Sequence, residues 1–395
     1  MEKKTKNKLM LLLLDWEKAF DRITRDKMHE AMESIGINPK LRNIIKALYK
    51  NTQFKTEIDG VESKWETQET GIRQGCPLSP YLFIIVMSVM FSEIHKELGA
   101  TLIEKRVDGI AFDEILYADD TICIGTDTKT LNMFLKAIEG KGKEYGLKLN
   151  KGKCEVITNQ NNPNIHFSDG TKIRIVDEAK YSGCSLNETS NYRKEIGKRI
   201  SNTYITMQKL NMFWLHSNCP AKFKLIAADA VIKTKLLYGM DSAQLGEHEQ
   251  KRINVMQLKI FRKILGIKTT FIDRENNNNK VWKDVHTKLT AEGKKKQIIS
   301  FKQAYAKAKL KTMANIILNK NDYKHKAIFN ADLEERVYTN RRVGRPKATW
   351  TETSLTEMWE GVRNSNPEWR YTKLDMTKVD IRKQLEENAK QLLAK

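Results

Sequence analysis

Short apolar runs separated by turn residues fill the first 160 positions of this chain. The first run, Leu9 to Leu14, is unbroken and ends at Asp15. A bilayer span needs about 20 apolar residues, whereas strands buried on both faces have short unbroken runs of this kind. The pattern therefore predicts a central strand with Asp15 at its carboxyl end, where ligand crevices usually form. The alternative role of Asp15 is to cap a following helix.

The segments after this strand switch between helical and strand periodicity. Helical spacing covers residues 25–35, the stretch from Pro39 onward, and residues 81–98 and 131–145. Strand patterns cover residues 53–58 and 61–68 around the turn signal Asp59-Gly60, and then 109–116, 121–125 and 153–158. The order β-α-α-β-β-α-β-β-α-β predicts an α+β fold, an antiparallel sheet with helices on one face. From Tyr192 onward the pattern is mostly helical, and residues 276–279 suggest a flexible boundary.

The net charge of +21 is unevenly placed along the chain. Residues 1–150 carry 23 Lys and Arg against 23 Asp and Glu, so the whole excess lies in residues 151–395. A basic half predicts a polyanionic partner, most often nucleic acid, although a solvated basic surface is the simpler alternative. The five cysteines have no Cys-x-x-Cys spacing, which predicts a reducing compartment and no structural zinc.

Two adjacent carboxylates, Asp119 and Asp120, lie at the predicted turn between strands 109–116 and 121–125. Two ionised carboxylates about 4 Å apart repel by roughly 4 kcal/mol at an effective dielectric constant of about 20. A divalent cation offsets this repulsion, and hard oxygen ligands suit Mg²⁺ or Mn²⁺. Asp15 is the candidate for a third carboxylate at the same place.

The loop at residues 71–80 combines two glycines and two prolines before a buried helix. Arg73 and Gln74 are left as polar groups on an exposed bend. Gly75 has no Cβ, so a ligand can approach the main chain closely. A plain helix-entry loop explains the prolines but not the Arg-Gln pair.

These motifs together resemble the reverse transcriptase of non-LTR (LINE-type) retrotransposons, nearly from end to end. Five segments in the family's order carry the resemblance: residues 15–21 (DWEKAFD), 71–80 (GIRQGCPLSP), 117–120 (YADD), 146–154 (GLKLNKGKC) and 181–184 (YSGC). Residues 237–239, 261–266 and 343–350 are similar to the helical thumb and to a later Gly-Arg-Pro…Trp signature. A group II intron maturase is the nearest alternative within the enzyme class, and the sequence of residues 71–80 argues against it.

The resemblance implies a polymerase palm at residues 1–185, a helical thumb-like region at 186–275 and a basic helical C-terminal region at 280–395. In the family a fingers region precedes the first palm motif, and only 14 residues precede Asp15. We therefore expect a fragment that lacks the fingers. Two functions follow: an RNA-directed DNA polymerase, or a catalytically inactive retroelement relic that only binds nucleic acid.

The resemblance also implies a role for each site residue. The metal ligands for two Mg²⁺ ions, with Mn²⁺ as an alternative, are Asp15, Asp119, Asp120 and the main-chain carbonyl of Trp16. Lys153 is the proton donor to the departing diphosphate, or else an ordinary surface lysine. The residues that contact nucleotide and template are Phe20, Arg73, Gln74 and Gly75, with Phe20 excluding a 2′-hydroxyl unless it is only a core aromatic. Tyr181 and Gly183 belong to the primer grip.

The partners implied are an RNA template, a DNA primer and dNTPs, with no membrane. The family's way of life implies a nuclear or cytoplasmic location. The sequence leaves the oligomeric state open.

Overall fold

The apolar run at the start of the chain forms the central strand of a five-stranded sheet. This strand, β1 (Met10–Leu14), pairs antiparallel with strands on both sides, in the order β6-β7-β1-β8-β9. Only the edge pair β8–β9 is parallel. The other strands are β2 (Gln53–Phe54), β3 (Glu57–Ile58), β4 (Val61–Glu62), β5 (Glu66–Thr67), β6 (Glu114–Tyr117), β7 (Asp120–Gly125), β8 (Glu155–Thr158), β9 (Arg174–Ile175), β10 (Glu178–Tyr181) and β11 (Cys184–Asn187).

The computed structural model describes residues 9–106, 110–160, 162–187, 192–290, 297–329 and 349–394. It divides into two units, Met1–Glu188 and Thr189–Lys395. The helices of the first unit are α1 (Ala19–Arg22), α2 (Arg25–Ser34), α3 (Pro39–Leu48), α4 (Ser79–Glu104) and α5 (Thr128–Glu144).

The two faces of the five-stranded sheet have different covers. Alternate residues of β1, such as Leu12, point with Cys123 and Val156 into the large core that the helices complete. Leu13 points the other way, into a small cluster to which the hairpin β10–β11 contributes Ala179 and, at its edge, Tyr181. The predicted α+β fold with helices on one face is confirmed, and the hairpin on the second face explains why β1 is apolar at every position.

The predicted hairpin around Asp59-Gly60 is confirmed as a ribbon of two short pairs, β2–β5 and β3–β4. Both turn residues have positive φ, 50° and 82°, as a type I′ turn requires.

Two predicted boundaries differ from the structure by about five residues or more. The helix that we expected to end at Gly99 continues to Glu104 as α4. Burying Leu102 offsets the cost of a mid-helix glycine, about 1 kcal/mol. The strand expected at 109–116 begins only at Glu114, and residue 109 itself lies outside the described residues.

Asp127 fixes the start of α5 directly after β7. Its carboxylate accepts hydrogen bonds from the Thr130 main-chain N–H (2.8 Å) and hydroxyl (3.0 Å). These bonds, the main-chain one first, hold the pKa of Asp127 below its ordinary value. Replacing an N-cap of this kind with Ala costs about 1 kcal/mol.

We therefore expect Asp127→Ala to reduce the free energy of unfolding by about 1 kcal/mol at neutral pH. A depressed pKa stabilises the fold above the unfolded-state value of about 3.9, and this contribution is lost as the pH falls below it. Urea denaturation of the wild type and the variant at pH 7 and near pH 3 checks both statements. A stability difference that is the same at both pH values contradicts the charge-assisted cap.

The second unit is built from helices around two apolar clusters. Its helices are α6 (Tyr192–Lys209), α7 (Asn211–His216), α8 (Ala221–Leu237), α9 (Glu247–Leu265), α10 (Asn278–Thr290), α11 (Phe301–Leu318), α12 (Tyr323–Ile328), α13 (Trp350–Ser365) and α14 (Val379–Ala394), with a 3₁₀ turn at Pro367–Trp369. Gly266, the last residue of the 261–266 motif, ends α9 with φ 67°. Among the described residues, no helix is both long and apolar enough to cross a bilayer.

The run at 276–279, which suggested a flexible boundary, leads into α10. The main-chain carbonyl of Asn276 accepts a hydrogen bond from Arg262 (2.7 Å), and Val281 packs in the same cluster as Phe261 of α9. The three-part division at 185 and 275–280 stays a prediction. Of the Gly-Arg-Pro…Trp signature, residues 341–348 lie outside the described residues, while Trp350 donates a hydrogen bond to the Asp241 carbonyl (2.8 Å).

Candidate active site

The register of two neighbouring strands brings the predicted carboxylates together. Leu14 is the last residue of β1 and pairs with Thr121 of β7. One step further along this antiparallel pair, Asp15 comes opposite Asp120, the first residue of β7. Asp119 precedes it in the two-residue turn of the β6–β7 hairpin. Three carboxylates therefore converge at one end of the central strand pair.

The chain after β1 is held firmly by the segment around Leu149. The Asp15 carbonyl accepts a hydrogen bond from the Asn150 main-chain N–H (2.8 Å). Trp16 forms an isolated bridge with Leu149 and is 4% exposed, and its indole N–H donates to the Thr121 hydroxyl (3.1 Å). These contacts tie the residue after the strand to β7, so that Asp15 and Asp120 share one rigid support.

The electrostatics of Asp120 show that negative charge is in excess here. Burial and then the charge of Asp119 raise the pKa of Asp120, and the charge of Asp15 acts in the same direction. The Ser182 main-chain N–H faces the Asp120 carboxylate and acts in the opposite direction. A set of hard oxygen donors with surplus negative charge suits a divalent cation.

Among the described residues, Lys153 is the cation that forms an ion pair with one of these three carboxylates. Its Nζ lies 3.6 Å from Asp15 Oδ2, and 68% of its side chain is exposed. The sequence left a functional lysine and an ordinary surface lysine as alternatives. The structure places Lys153 at the carboxylates, which is where a proton donor to diphosphate is needed, and its role stays a prediction.

The hairpin β10–β11 brings the predicted primer grip against the carboxylates. Ser182 and Gly183 form its two-residue turn with φ 45° and 77°. Burial and the charge of Asp120 raise the pKa of Tyr181 to about 12, so the phenol stays protonated at neutral pH. The Tyr181 hydroxyl is buried and has no hydrogen-bond partner within the described ranges.

The loop at 71–80 is anchored on the short helix α1. Ile72 donates its main-chain N–H to the Phe20 carbonyl (2.7 Å), and Gln74 donates its side-chain amide to Asp21 (3.1 Å). The half-buried Phe20 ring stacks on Phe83 with centroids 4.8 Å apart. Phe20 and Gln74 therefore belong to one connected surface.

Arg73 and Gly75 are the exposed members of this loop. Within the described ranges, the Arg73 side chain makes one long hydrogen bond, from Nη2 to the Leu48 carbonyl at 3.4 Å. Gly75 has φ 83°, and a Cβ built there meets no atom within 4 Å. The space in front of Gly75 is therefore open, so a ligand can approach the main chain there.

Sequence reasoning missed Asp21 as the residue that links the two motifs. Its carboxylate accepts from Gln74, and its carbonyl accepts from the Thr70 hydroxyl (3.0 Å). The sequence did contain a signal for this link, because Asp21 is the last residue of the first motif and had been given no role of its own.

A second acidic group, His95, Asp113 and Glu114, lies elsewhere in the first unit. Within the described part of the chain it is the one group of three His, Cys, Asp or Glu side chains with ligand atoms within 4.8 Å of one another. The Asp15, Asp119 and Asp120 carboxylates are spaced more widely than that.

Arg106 already neutralises one of the two carboxylates of the second group. Arg106 binds the Asp113 carboxylate through two of its nitrogens, and His95 Nε2 lies 2.8 Å from Glu114 Oε2. This group therefore forms a structural link between α4 and β6. The triad of Asp15, Asp119 and Asp120 has one ion-pair partner, Lys153, for three carboxylates among the described residues, and it remains the candidate metal centre.

Comparison with known proteins agrees with this geometry. Residues 1–186 match the family described as "Reverse transcriptase (RNA-dependent DNA polymerase)". The chain is 26% identical over 274 residues to the "RNA-directed DNA polymerase from mobile element jockey" of Drosophila funebris, covering 64% of this chain and 28% of that protein. It is 28% identical over 149 residues to a "Retrovirus-related Pol polyprotein from type-1 retrotransposable element R2" of Nasonia vitripennis, covering 38% of this chain and 14% of that protein.

The chain thus spans less than a third of the length of these curated relatives. Among solved structures, apo telomerase from Candida tropicalis aligns over 97% of this chain and 54% of its own, at 13% identity and a TM-score of 0.38. That likeness is too weak to carry an inference.

Proposed function

We propose that this chain, which carries a reverse transcriptase domain related to those of non-LTR retrotransposons in residues 1–186, is an RNA-directed DNA polymerase. The observation that carries the proposal is the strand register that sets Asp15 opposite Asp120, with Asp119 beside it. Carboxylates from separate strands converging on one point are what two-metal nucleotidyl transfer requires. The substrates are then dNTPs, a primer 3′-hydroxyl and an RNA template.

The reaction joins the primer 3′-oxygen to the α-phosphorus of a dNTP and breaks the bond to diphosphate, and the hydroxyl proton passes to solvent. Two Mg²⁺ ions, when bound, activate the attacking oxygen and offset charge on the leaving diphosphate. Asp15, Asp119 and Asp120, with the Trp16 carbonyl, would hold them. Lys153, beside Asp15, would give a proton to the leaving group.

The surrounding residues would position the reactants. Gln74, fixed by Asp21, and the open main chain at Gly75 would contact the nucleotide. The turn after Tyr181 would hold the primer end near Asp120. The buried Tyr181 phenol lies close enough for the charge of Asp120 to act on it, and its hydroxyl is a hydrogen-bond donor without a partner among the described residues.

The Phe20 ring supplies a test of sugar selection. A ring that excludes the 2′-hydroxyl sterically should lose this power when it is shortened, so we expect Phe20→Val to raise rNTP use relative to dNTP use by about tenfold or more. The measurement is kcat/KM for dNTP and rNTP in primer extension.

Phe20→Tyr is the matched control, because it keeps the ring and its stacking on Phe83. If Phe20 is only a core aromatic, Phe20→Val lowers the melting temperature, through loss of a ring pair that contributes about 0.5–1.5 kcal/mol, and leaves the sugar preference unchanged.

Primer extension on an RNA template with Mg²⁺ and dNTPs tests the proposed function directly. DNA synthesis that depends on template and metal supports the polymerase. Salt-dependent binding of nucleic acid without synthesis supports the alternative, an inactive relic that binds through its basic half.

A further inference from the structure

Two arginines of the first unit differ from the others in having no carboxylate partner. Its six arginines are all described, and four of them form ion pairs with glutamate or aspartate: Arg22, Arg42, Arg106 and Arg174. Arg25 and Arg73 have none within 4.0 Å among the described residues. Because charged groups that leave the solvent are usually paired, the half-buried Arg25 without a carboxylate partner needs an explanation.

Both unpaired guanidinium groups lie at the carboxyl end of α3. Arg25 donates from Nη1 to the Tyr49 carbonyl (2.7 Å) and from Nη2 to the Thr52 hydroxyl (2.8 Å). Arg73 donates from Nη2 to the Leu48 carbonyl (3.4 Å). Carbonyl groups at a helix end carry only a partial negative charge, so they orient the two guanidinium groups without neutralising them.

The two cations also act on each other. Burial, against an opposing effect of Tyr49, and the charge of Arg73 lower the pKa of Arg25. Two neighbouring like charges favour binding of an anion between or beside them.

The two side chains have complementary accessibility. Arg25 is half-buried and stacks on the Tyr49 ring at 5.5 Å, so its position is fixed before any ligand arrives. Arg73 is exposed and has one weak contact, so it can turn toward a ligand with little loss. A fixed cation beside a movable one is a preorganised receptor for a phosphate group.

We propose that Arg25 and Arg73 together form a binding site for one backbone phosphate of the nucleic-acid strand held by this domain. The inference rests on the proposed function, because it needs a bound strand, and it adds Arg25 to the residues that hold it. Guanidinium groups suit phosphate because their parallel N–H groups match its oxygens.

The test is equilibrium binding of an RNA–DNA primer–template to the full chain over a series of KCl concentrations, without dNTP. Each neutralised phosphate contributes about one to the slope of log K against log[KCl]. We expect Arg73→Gln and Arg25→Gln each to lower the slope by about one. Because both side chains serve the same phosphate, the double variant should also fall by about one and not by two.

Lys27→Gln is the matched control on the same helix as Arg25. Lys27 is already paired with Glu30 (2.6 Å), so removing its charge should leave the slope unchanged. Arg25→Lys separates a role of the positive charge from a structural role of the side chain. Lysine keeps the charge but cannot form both hydrogen bonds of the arginine, to the Tyr49 carbonyl and the Thr52 hydroxyl. A slope restored by Arg25→Lys supports the phosphate site, whereas equal losses for Arg25→Lys and Arg25→Gln indicate a structural arginine and overturn it.

Three further outcomes also overturn the inference: an unchanged slope for Arg73→Gln, a loss of about two in the double variant, or an effect confined to the KM for dNTP. If the wild-type chain shows no salt-dependent binding of primer–template, the proposed function itself is contradicted. If the wild type binds and the arginine variants have the same slope, only the phosphate site is contradicted.

Discussion

Replacing Asp119 with Asn is expected to abolish primer extension while leaving the fold intact. The substitution keeps the shape of the side chain and removes one of the two negative charges that act on Asp120. A bound divalent cation contributes several kcal/mol to stabilising the charge of the transition state. Losing a ligand should therefore lower the rate by about a thousandfold or more, since each 1.36 kcal/mol is a factor of ten.

The stability of the same variant should move in the other direction. Asp119 raises the pKa of Asp120, so the native site contains repulsion that Asp119→Asn relieves. We expect its melting temperature to equal or slightly exceed that of the wild type. Loss of activity with unchanged or increased stability separates a functional carboxylate from a structural one.

Asp59→Asn is the matched control for this experiment. It makes the same chemical change in another two-residue hairpin turn, where Asn-Gly is as favourable as Asp-Gly, and Asp59 is far from the triad in sequence and exposed. Single-turnover extension rates of the two variants give the comparison. A rate for Asp119→Asn within about tenfold of the wild type would remove Asp119 from the metal centre.

The triad could be predicted because its parts are local. An apolar run ending in Asp15 and a hairpin signal before Thr121 each fix one short segment, and strand pairing brings the two segments together. The metal-binding roles of these three carboxylates stay predictions, since the strand register gives only their positions.

Contacts between distant segments could not be predicted from the same patterns. Nothing in the sequence around Ser182 shows that its main-chain N–H faces Asp120, because this depends on the β10–β11 hairpin packing on the second face of the sheet. The unpaired state of Arg25 is also invisible in sequence, where Asp26 follows it directly. Helix ends are uncertain for a related reason. A glycine such as Gly99 ends a helix only if no apolar residue beyond it packs into the core, and here Leu102 does.

At Gly71 a single added methyl group should damage the fold severely. It has φ 80°, and a Cβ there would lie 2.6 Å from the Asp21 carbonyl oxygen and 2.7 Å from two more of its main-chain atoms. Main-chain atoms cannot turn aside as a flexible side chain can. Gly71→Ala must therefore displace the loop at 71–80 from α1.

The displacement has a definite cost. Left-handed backbone in a non-glycine residue costs about 1–2 kcal/mol, and overpacking adds about 1–3 kcal/mol. The hydrogen bonds from Gly71 to the Ile23 carbonyl (2.8 Å) and from Ile72 to the Phe20 carbonyl (2.7 Å) are then strained or lost. We expect the free energy of unfolding to fall by about 3–5 kcal/mol, measured by urea denaturation.

Alanine variants of two other glycines separate the cost of backbone strain from the cost of overpacking. Gly36 follows α2 with φ 78°, and Gly75 has φ 83°, and neither has an atom within 4 Å of a built Cβ. Gly36→Ala and Gly75→Ala should each cost only the backbone strain, about 1–2 kcal/mol. Gly75→Ala should in addition raise the KM for dNTP, because its methyl group enters the space that we assign to the nucleotide, whereas Gly36→Ala should leave KM unchanged. If Gly71→Ala unfolds no more easily than Gly36→Ala, the close approach to Asp21 is not a rigid joint, and Gln74 and Gly75 lose the anchor on which their proposed role depends.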